Sequence, residues 1–168
     1  MKTSPLTHKI WNEENIDLQL SRIHAANKSI VFTNGCFDIV HAGHIQYLFE
    51  TSKLADFLIV GINSDDSVKR LEKSPARPLQ NEFSRSSVIA ALGFVDAVIL
   101  FDQDTPKQLI ERITPKVLVK GSDYKIEDIV GSEWVISNGG EVKTIDFLPG
   151  YSTSSIERKI LQAHNLHE

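Results

Sequence analysis

Along the chain, short runs of Val, Ile, Leu and Phe alternate with longer stretches in which apolar residues recur every three or four positions. The first pattern suits strands and the second amphipathic helices; their alternation is the signature of repeated β-α units around a parallel sheet. Five runs predict strands, at 29–33, 57–62, 97–101, 117–120 and 141–145. None of them alternates strictly between apolar and polar, as expected where helices cover both faces of the sheet. Helices are predicted at 13–26, 43–54, 81–92, 105–112, 131–138 and 154–163. Asp104-Thr105-Pro106 offers a capping residue and then a proline in the first turn, and Asn138-Gly139-Gly140 closes its helix with residues that accept left-handed geometry. The expectation is an α/β protein with a five-stranded parallel sheet over residues 29–168. Residues 1–28 form an N-terminal helical extension that packs either on its own sheet or on a second subunit. The one extended loop predicted, 73–81, carries Pro75 and Pro78 among Lys and Arg, and long loops in compact domains often bear function.

Composition narrows the class. With 168 residues, 41% hydrophobic and 24% charged, the chain is sized and balanced for one soluble globular domain. The net charge of −4 leaves only a local cluster of Lys69, Arg70, Lys73, Arg77 and Arg85 to meet phosphates. That cluster suits a small polyphosphate better than a duplex, so no nucleic-acid partner is expected. The single cysteine, Cys36, cannot form an intramolecular disulfide. No apolar run approaches the ~20 residues of a membrane span, and no hydrophobic leader follows Lys2. The expectation is a cytoplasmic protein without a membrane partner.

The chemistry gathers after the first strand, which runs into Thr33-Asn34-Gly35-Cys36-Phe37-Asp38 and then Ile39-Val40-His41-Ala42-Gly43-His44 at the start of a helix. A helix N-terminus presents unpaired N–H groups and the positive end of the helix dipole, which favours an anion such as phosphate. His41 and His44, three apart, lie on one side of a single turn and could both donate to a pentacoordinate phosphorus. A pair that merely caps and packs is the competing reading, against which Gly43 between them argues for close ligand approach. Zinc is disfavoured, because neither a second cysteine nor a further histidine sits at ligand spacing, and no metal site is expected.

Phe32-Thr33-Asn34-Gly35-Cys36-Phe37-Asp38 followed by His41-Ala42-Gly43-His44 resembles the signature of the cytidylyltransferase-like nucleotidyltransferases. The resemblance covers roughly 29–160 and implies a Rossmann-like sheet of strand order 3-2-1-4-5, with the nucleotide at the C-terminal strand ends where the order reverses. It further implies that the HxGH motif binds and activates a nucleoside triphosphate. Gly61 to Leu71, Arg77-Pro78-Leu79, Arg85, Asp102 to Pro106, Val119 to Tyr124 and Ser152-Thr153-Ser154 resemble, in order, the adenylyltransferase half of the bacterial ADP-heptose synthases. That branch transfers AMP from ATP to D-glycero-D-manno-heptose 1-phosphate.

The resemblance implies catalytic roles for His41, His44, Lys69 and Arg85, with Lys69 and Arg85 clamping the β- and γ-phosphates. Read without it, each is equally a solvated surface charge. It places Thr33, Asn34, Gly35, Phe37, Lys120, Gly121, Asp123, Ser152, Thr153 and Ser154 with the histidines at the nucleotide, Lys120 also at the second substrate, and Asp38 either at that substrate's hydroxyls or holding the loop. Asp123 is equally a turn residue beside Gly121, and the Ser152-Thr153-Ser154 hydroxyls are also ordinary helix caps. Mg²⁺ is expected to ride on the triphosphate with few protein ligands. Dimerisation is a family expectation. Leu148-Pro149-Gly150-Tyr151 replaces the Arg-Thr-Glu-Gly-Ile string of the glycerol-phosphate cytidylyltransferases, which weakens a cytidine reading and leaves ATP and GTP open. A different phosphorylated alcohol as acceptor, and a silent nucleotide sensor, are the alternatives. A tRNA-charging domain would need a longer chain.

Overall fold

The computed structural model describes Leu6, residues 8–71 and residues 76–164; Lys2, Lys73 and Pro75 lie outside them. Among the described residues the sheet has six strands, not the expected five: β1 (Ile10–Trp11), β2 (Ile30–Gly35), β3 (Phe57–Asn63), β4 (Ala97–Phe101), β5 (Val117–Gly121) and β6 (Glu141–Ile145). All pairings are parallel and the order is β1-β4-β3-β2-β5-β6. The five expected strands are β2 to β6, and they stand in the expected order. The extra strand is a two-residue edge that pairs Ile10 with Val98 and Trp11 with Ile99. A segment that short has no periodicity to read.

Successive strand residues point to opposite faces, and both faces are apolar. Phe32, Ile59, Ile99 and Leu118 join one buried layer, whereas Val31, Leu58, Val60, Val98, Val117 and Val119 join the other. The first layer lies under α1 (Ile16–Ala25), α5 (Lys107–Ile113) and α6 (Ser132–Ser137), which contribute Ile16, Leu20, Ile23, Ile110, Ile113 and Val135. The second lies under α2 (Ala42–Ser52) and α4 (Glu82–Ala90), through Tyr47, Leu48, Ile89 and Ala90. A helix absent from the expectation, α3 (Asp65–Arg70), follows β3. Ser64 caps it by accepting the Ser67 N–H at 3.0 Å, with Asp65 and Asp66 in the first turn and Lys69 and Arg70 in the last. These charges complement the helix dipole. The last helix, α7 (Thr153–Ala163), buries none of its residues.

The N-terminal segment packs on its own sheet. Trp11, Ile16, Leu20 and Ile23 belong to the first core layer. Arg112 of α5 reaches Asp17 at 2.8 and 3.0 Å and also pairs with Glu13, which fastens α1 down. Lys9 donates to the carbonyls of Val95 and Leu92 at 2.7 and 3.2 Å, just beyond the end of α4.

The chain leaves β2 toward β3 on one side and returns after β4 to place β5 on the other. At such a reversal the two outgoing loops diverge, and a crevice opens at the C-terminal ends of the strands. Asn34, Gly35, Lys120 and Gly121 end β2 and β5 there.

Ile16 is 1% exposed. Its replacement by alanine is expected to lower the unfolding free energy by about 3 kcal/mol in denaturant titration, as for a core residue; a loss under about 1 kcal/mol would mean that α1 is not integral to the fold.

Candidate active site

The turn between β2 and α2 is set by local sterics. Phe37 takes a left-handed φ of 50°, and its ring lies where a Cβ on Gly35 would come within 3.1 Å. His41 is the N-cap of α2, and its Nδ1 accepts the His44 N–H at 3.4 Å. A neutral imidazole accepting at Nδ1 carries its proton on Nε2, so His41 keeps an N–H to offer a ligand. The two imidazoles stack at 3.9 Å between centroids and 21° between planes. A Cβ on Gly43 would come within 3.0 Å of the His41 ring and 3.3 Å of Tyr151. The glycine therefore makes room for the folded-back histidine, a different reason from the expected approach of ligand to backbone.

His44 also takes the edge of Phe37, with centroids 5.4 Å apart. Burial, then the charge of neighbouring His41, lowers its pKa to about 4, against a smaller opposing effect of the Ile39 backbone. Burial lowers that of His41 as well. Both rings are thus neutral near pH 7 in the free protein. Among the described residues, Nδ1 of His44 and Oδ1 of Asn34 are buried with no partner in hydrogen-bond geometry.

A cleft of about 410 Å³ opens beside this turn. Of the expected residues it gathers Asn34, Gly35, Phe37, Asp38, His44, Lys120, Gly121, Asp123 and Thr153 along its walls. Lys120 donates to the Asn34 carbonyl at 3.3 Å and lies 5.6 Å from the centre of the Tyr124 ring. A Cβ on Gly121 would overlap the tip of the Phe147 ring and come within 2.6 Å of Asp123 Oδ1, so any larger residue there would displace those two side chains. Phe147 in turn packs on Tyr47 at 5.6 Å.

Other expected residues stand elsewhere. Thr33 is fully buried and its hydroxyl is 2.7 Å from that of Tyr47, which burial pushes well above the ordinary phenol range. Ser152 is committed to capping α7, accepting the Ser155 N–H at 3.1 Å, and Ser154 is exposed outside the cleft wall. Lys69 lies exposed on α3, paired with Asp66 at 2.8 Å, and that carboxylate raises its pKa.

Arg85 departs most from expectation. Its side chain is 0% exposed and cannot clamp a phosphate in this geometry. The guanidinium donates to the Cys36 carbonyl at 2.7 Å, the Gln80 carbonyl at 3.0 Å and Asp65 at 2.7 Å. Asp38, expected either at substrate hydroxyls or holding the loop, does the second: its two carboxylate oxygens accept the N–H groups of Leu79 and Gln80 at 2.9 and 2.8 Å. Both residues hold the turn from within. Among the cleft-wall residues that sequence reasoning gave no role in the site are the aromatic Tyr47, Tyr124 and Phe147, for which there was no signal. Arg77, expected only as one member of the basic cluster, also stands on the wall.

Two outcomes are expected. Arg85→Ala removes a fully buried guanidinium and leaves the partly exposed Asp65 carboxylate and two carbonyls without their donor, and should cost about 3 kcal/mol of stability in denaturant titration; a loss near zero would mean that the guanidinium is not holding the turn. By NMR titration of imidazole nitrogens, His44 should stay neutral at pH 6 and protonate near pH 4, and a pKa near 6.5 would refute its burial.

The cytidylyltransferase-like family model matches residues 32–159. Curated relatives include the bifunctional protein HldE of Campylobacter concisus, 50% identical over 94% of this chain, and that of Citrifermentans bemidjiense, 48% identical over 93%. The chain spans 32% of the length of each. Among solved structures, the lipopolysaccharide core biosynthesis protein from Thermoplasma volcanium superposes with a TM-score of 0.60 at 30% identity, covering 72% of this chain and 97% of that one. Among the described residues no helix is long and apolar enough to cross a membrane. With the histidine pair, the strand order and these matches agreeing, the chain belongs to the cytidylyltransferase-like family.

Proposed function

We propose that the chain is a nucleotidyltransferase that transfers AMP from ATP to D-glycero-D-manno-heptose 1-phosphate, releasing pyrophosphate. The observation that carries the chemistry is the stacked His41 and His44 pair at the N-terminus of α2, beside the cleft. The heptose assignment is supported by relatives named HldE at about 50% identity and by the likeness to a lipopolysaccharide core protein.

A phosphate oxygen of the sugar phosphate attacks the α-phosphorus, the new P–O bond forms, and the bond to the bridging oxygen breaks with its electron pair going to pyrophosphate. Such a transfer needs positioning and charge neutralisation more than covalent help. Neutral imidazoles suit the task, because they donate N–H groups without the cost of burying two adjacent cations. Lys120 and the helix N-terminus add positive potential at the same end of the sheet. The triphosphate would carry Mg²⁺, which neutralises phosphate charge when bound. Among the described residues no group of three or more potential ligands could hold the ion by itself. Asp104, Asp123 and Asp128 border the cleft as carboxylates able to add a ligand. This reading belongs to the cytoplasm, where ATP is supplied.

Pyrophosphate release with Mg²⁺ tests it, comparing ATP, GTP and CTP, each with heptose 1-phosphate or glycerol 3-phosphate. Release that requires ATP and the heptose phosphate is expected; release with another pair would overturn the substrates, and none with any pair would make the chain a nucleotide sensor. His41→Ala and His44→Ala should each lower kcat about 100-fold or more, the size of losing a transition-state donor, and unchanged turnover in both would refute the mechanism.

A further inference from the structure

Arg77 reaches the cleft from a backbone that is pinned close by. Leu79 and Gln80 donate their N–H groups to the Asp38 carboxylate, the Gln80 side chain donates to the Asp38 carbonyl at 2.7 Å, and Arg85 holds the Gln80 carbonyl. The segment two residues beyond Arg77 is thereby tied to the turn that delivers the two histidines. The Arg77 side chain is 17% exposed and shares the cleft wall with His44, Lys120 and Thr153. One terminal nitrogen donates to Oε1 of Glu157 on α7 at 2.5 Å. Since α7 buries no residue, and this is its one ion pair among the described residues, the contact matters to both partners. A guanidinium carries five N–H donors in a rigid fork that fits phosphate bidentately, and Glu157 engages a single corner of it.

We propose that Arg77 binds a phosphate group in the cleft and that Glu157 is its positioning residue, holding one corner of the fork so that its remaining N–H edge meets the ligand. The same side chain then fastens α7, whose first residue Thr153 borders the cleft. This rests on the reading that the cleft takes phosphorylated ligands. The phosphate belongs either to the nucleoside triphosphate or to the sugar phosphate, and the two are separated by measuring each alone.

Equilibrium binding of ATP with Mg²⁺, and separately of heptose 1-phosphate, is measured by calorimetry on the full chain and on Arg77→Ala, Glu157→Ala, Glu157→Gln and the double alanine variant, with the melting temperature of each. Arg77→Ala should weaken one of the two ligands about tenfold or more, the scale of a charged hydrogen-bonded contact. Glu157→Ala should weaken that same ligand by roughly threefold or more, raising its KM with little change in kcat, and should add nothing once Arg77 is alanine. Glu157→Gln, which keeps the accepting oxygen, should recover most of the loss. Wild-type-like binding of both ligands by Arg77→Ala would overturn the proposal alone. Equal losses in Glu157→Ala and Glu157→Gln, or a further loss in the double variant, would overturn the positioning role. A wild-type chain that binds neither ligand would overturn the phosphate reading on which the proposal stands.

Discussion

A guanidinium sealed from water must have its donors met, and Arg85 sets that condition for the whole end of the sheet that carries the cleft. Its three partners come from three places: the carbonyl of Cys36 in the β2–α2 turn, the carbonyl of Gln80 before α4, and the carboxylate of Asp65 in α3. None of these segments can shift without leaving a buried charge poorly paired, a far larger penalty than the loss of an exposed ion pair. Asp38 repeats the arrangement with opposite sign, a nearly buried carboxylate met by two backbone N–H groups of the same segment that Arg85 holds. Two buried charges of opposite sign thus join a loop with little apolar content to a sheet whose buried layers are rich in Val, Ile, Leu and Phe.

Rigidity at that turn is what the histidine pair needs. The imidazoles stack because His41 folds back as a helix cap and Gly43 leaves space for it. A stack with centroids 3.9 Å apart cannot hold two positive charges cheaply, and burial of His44 adds to that bias. The result is a pair of neutral donors at the positive end of a helix, where an anion gains from N–H groups and dipole together. Charge enters with the ligand and not before it.

Much of this was legible in the residues. The β2 to β5 strands were readable because each is an apolar run with both faces covered, β6 from its Val and Ile between turn signals, and their boundaries moved by only a residue or two. β1 and α3 escaped for lack of length, although Ser64, Asp65 and Asp66 spell a helix start once the helix is seen. The place of His41 and His44 at a helix start was legible from the preceding strand and their spacing, whereas Gly43 makes room for the His41 ring and not, as expected, for a ligand. Arg85 was misplaced for a physical reason: a charged residue in a motif reads identically whether it faces a ligand or holds the loop that does, and for Asp38 both readings stood open until its hydrogen bonds to Leu79 and Gln80 were seen. Thr33 belongs with Arg85, its hydroxyl turned to Tyr47 inside the core. The aromatic wall of Tyr47, Tyr124 and Phe147 was illegible because it comes from a helix and two loops that meet only in the fold.

The margins of the sheet differ in kind from its middle. On one side the sheet closes with β1, two residues long and followed closely by α1. On the other, β6 reads Glu141-Val142-Lys143-Thr144-Ile145, with Lys143 paired to Glu141 at 3.0 Å. Short or charged borders of this sort offer few unpaired backbone groups, and those at some desolvation cost, to a strand from another molecule. Among the described residues the apolar inner strands of the sheet thereby lie between two borders that disfavour the addition of a strand from a second molecule.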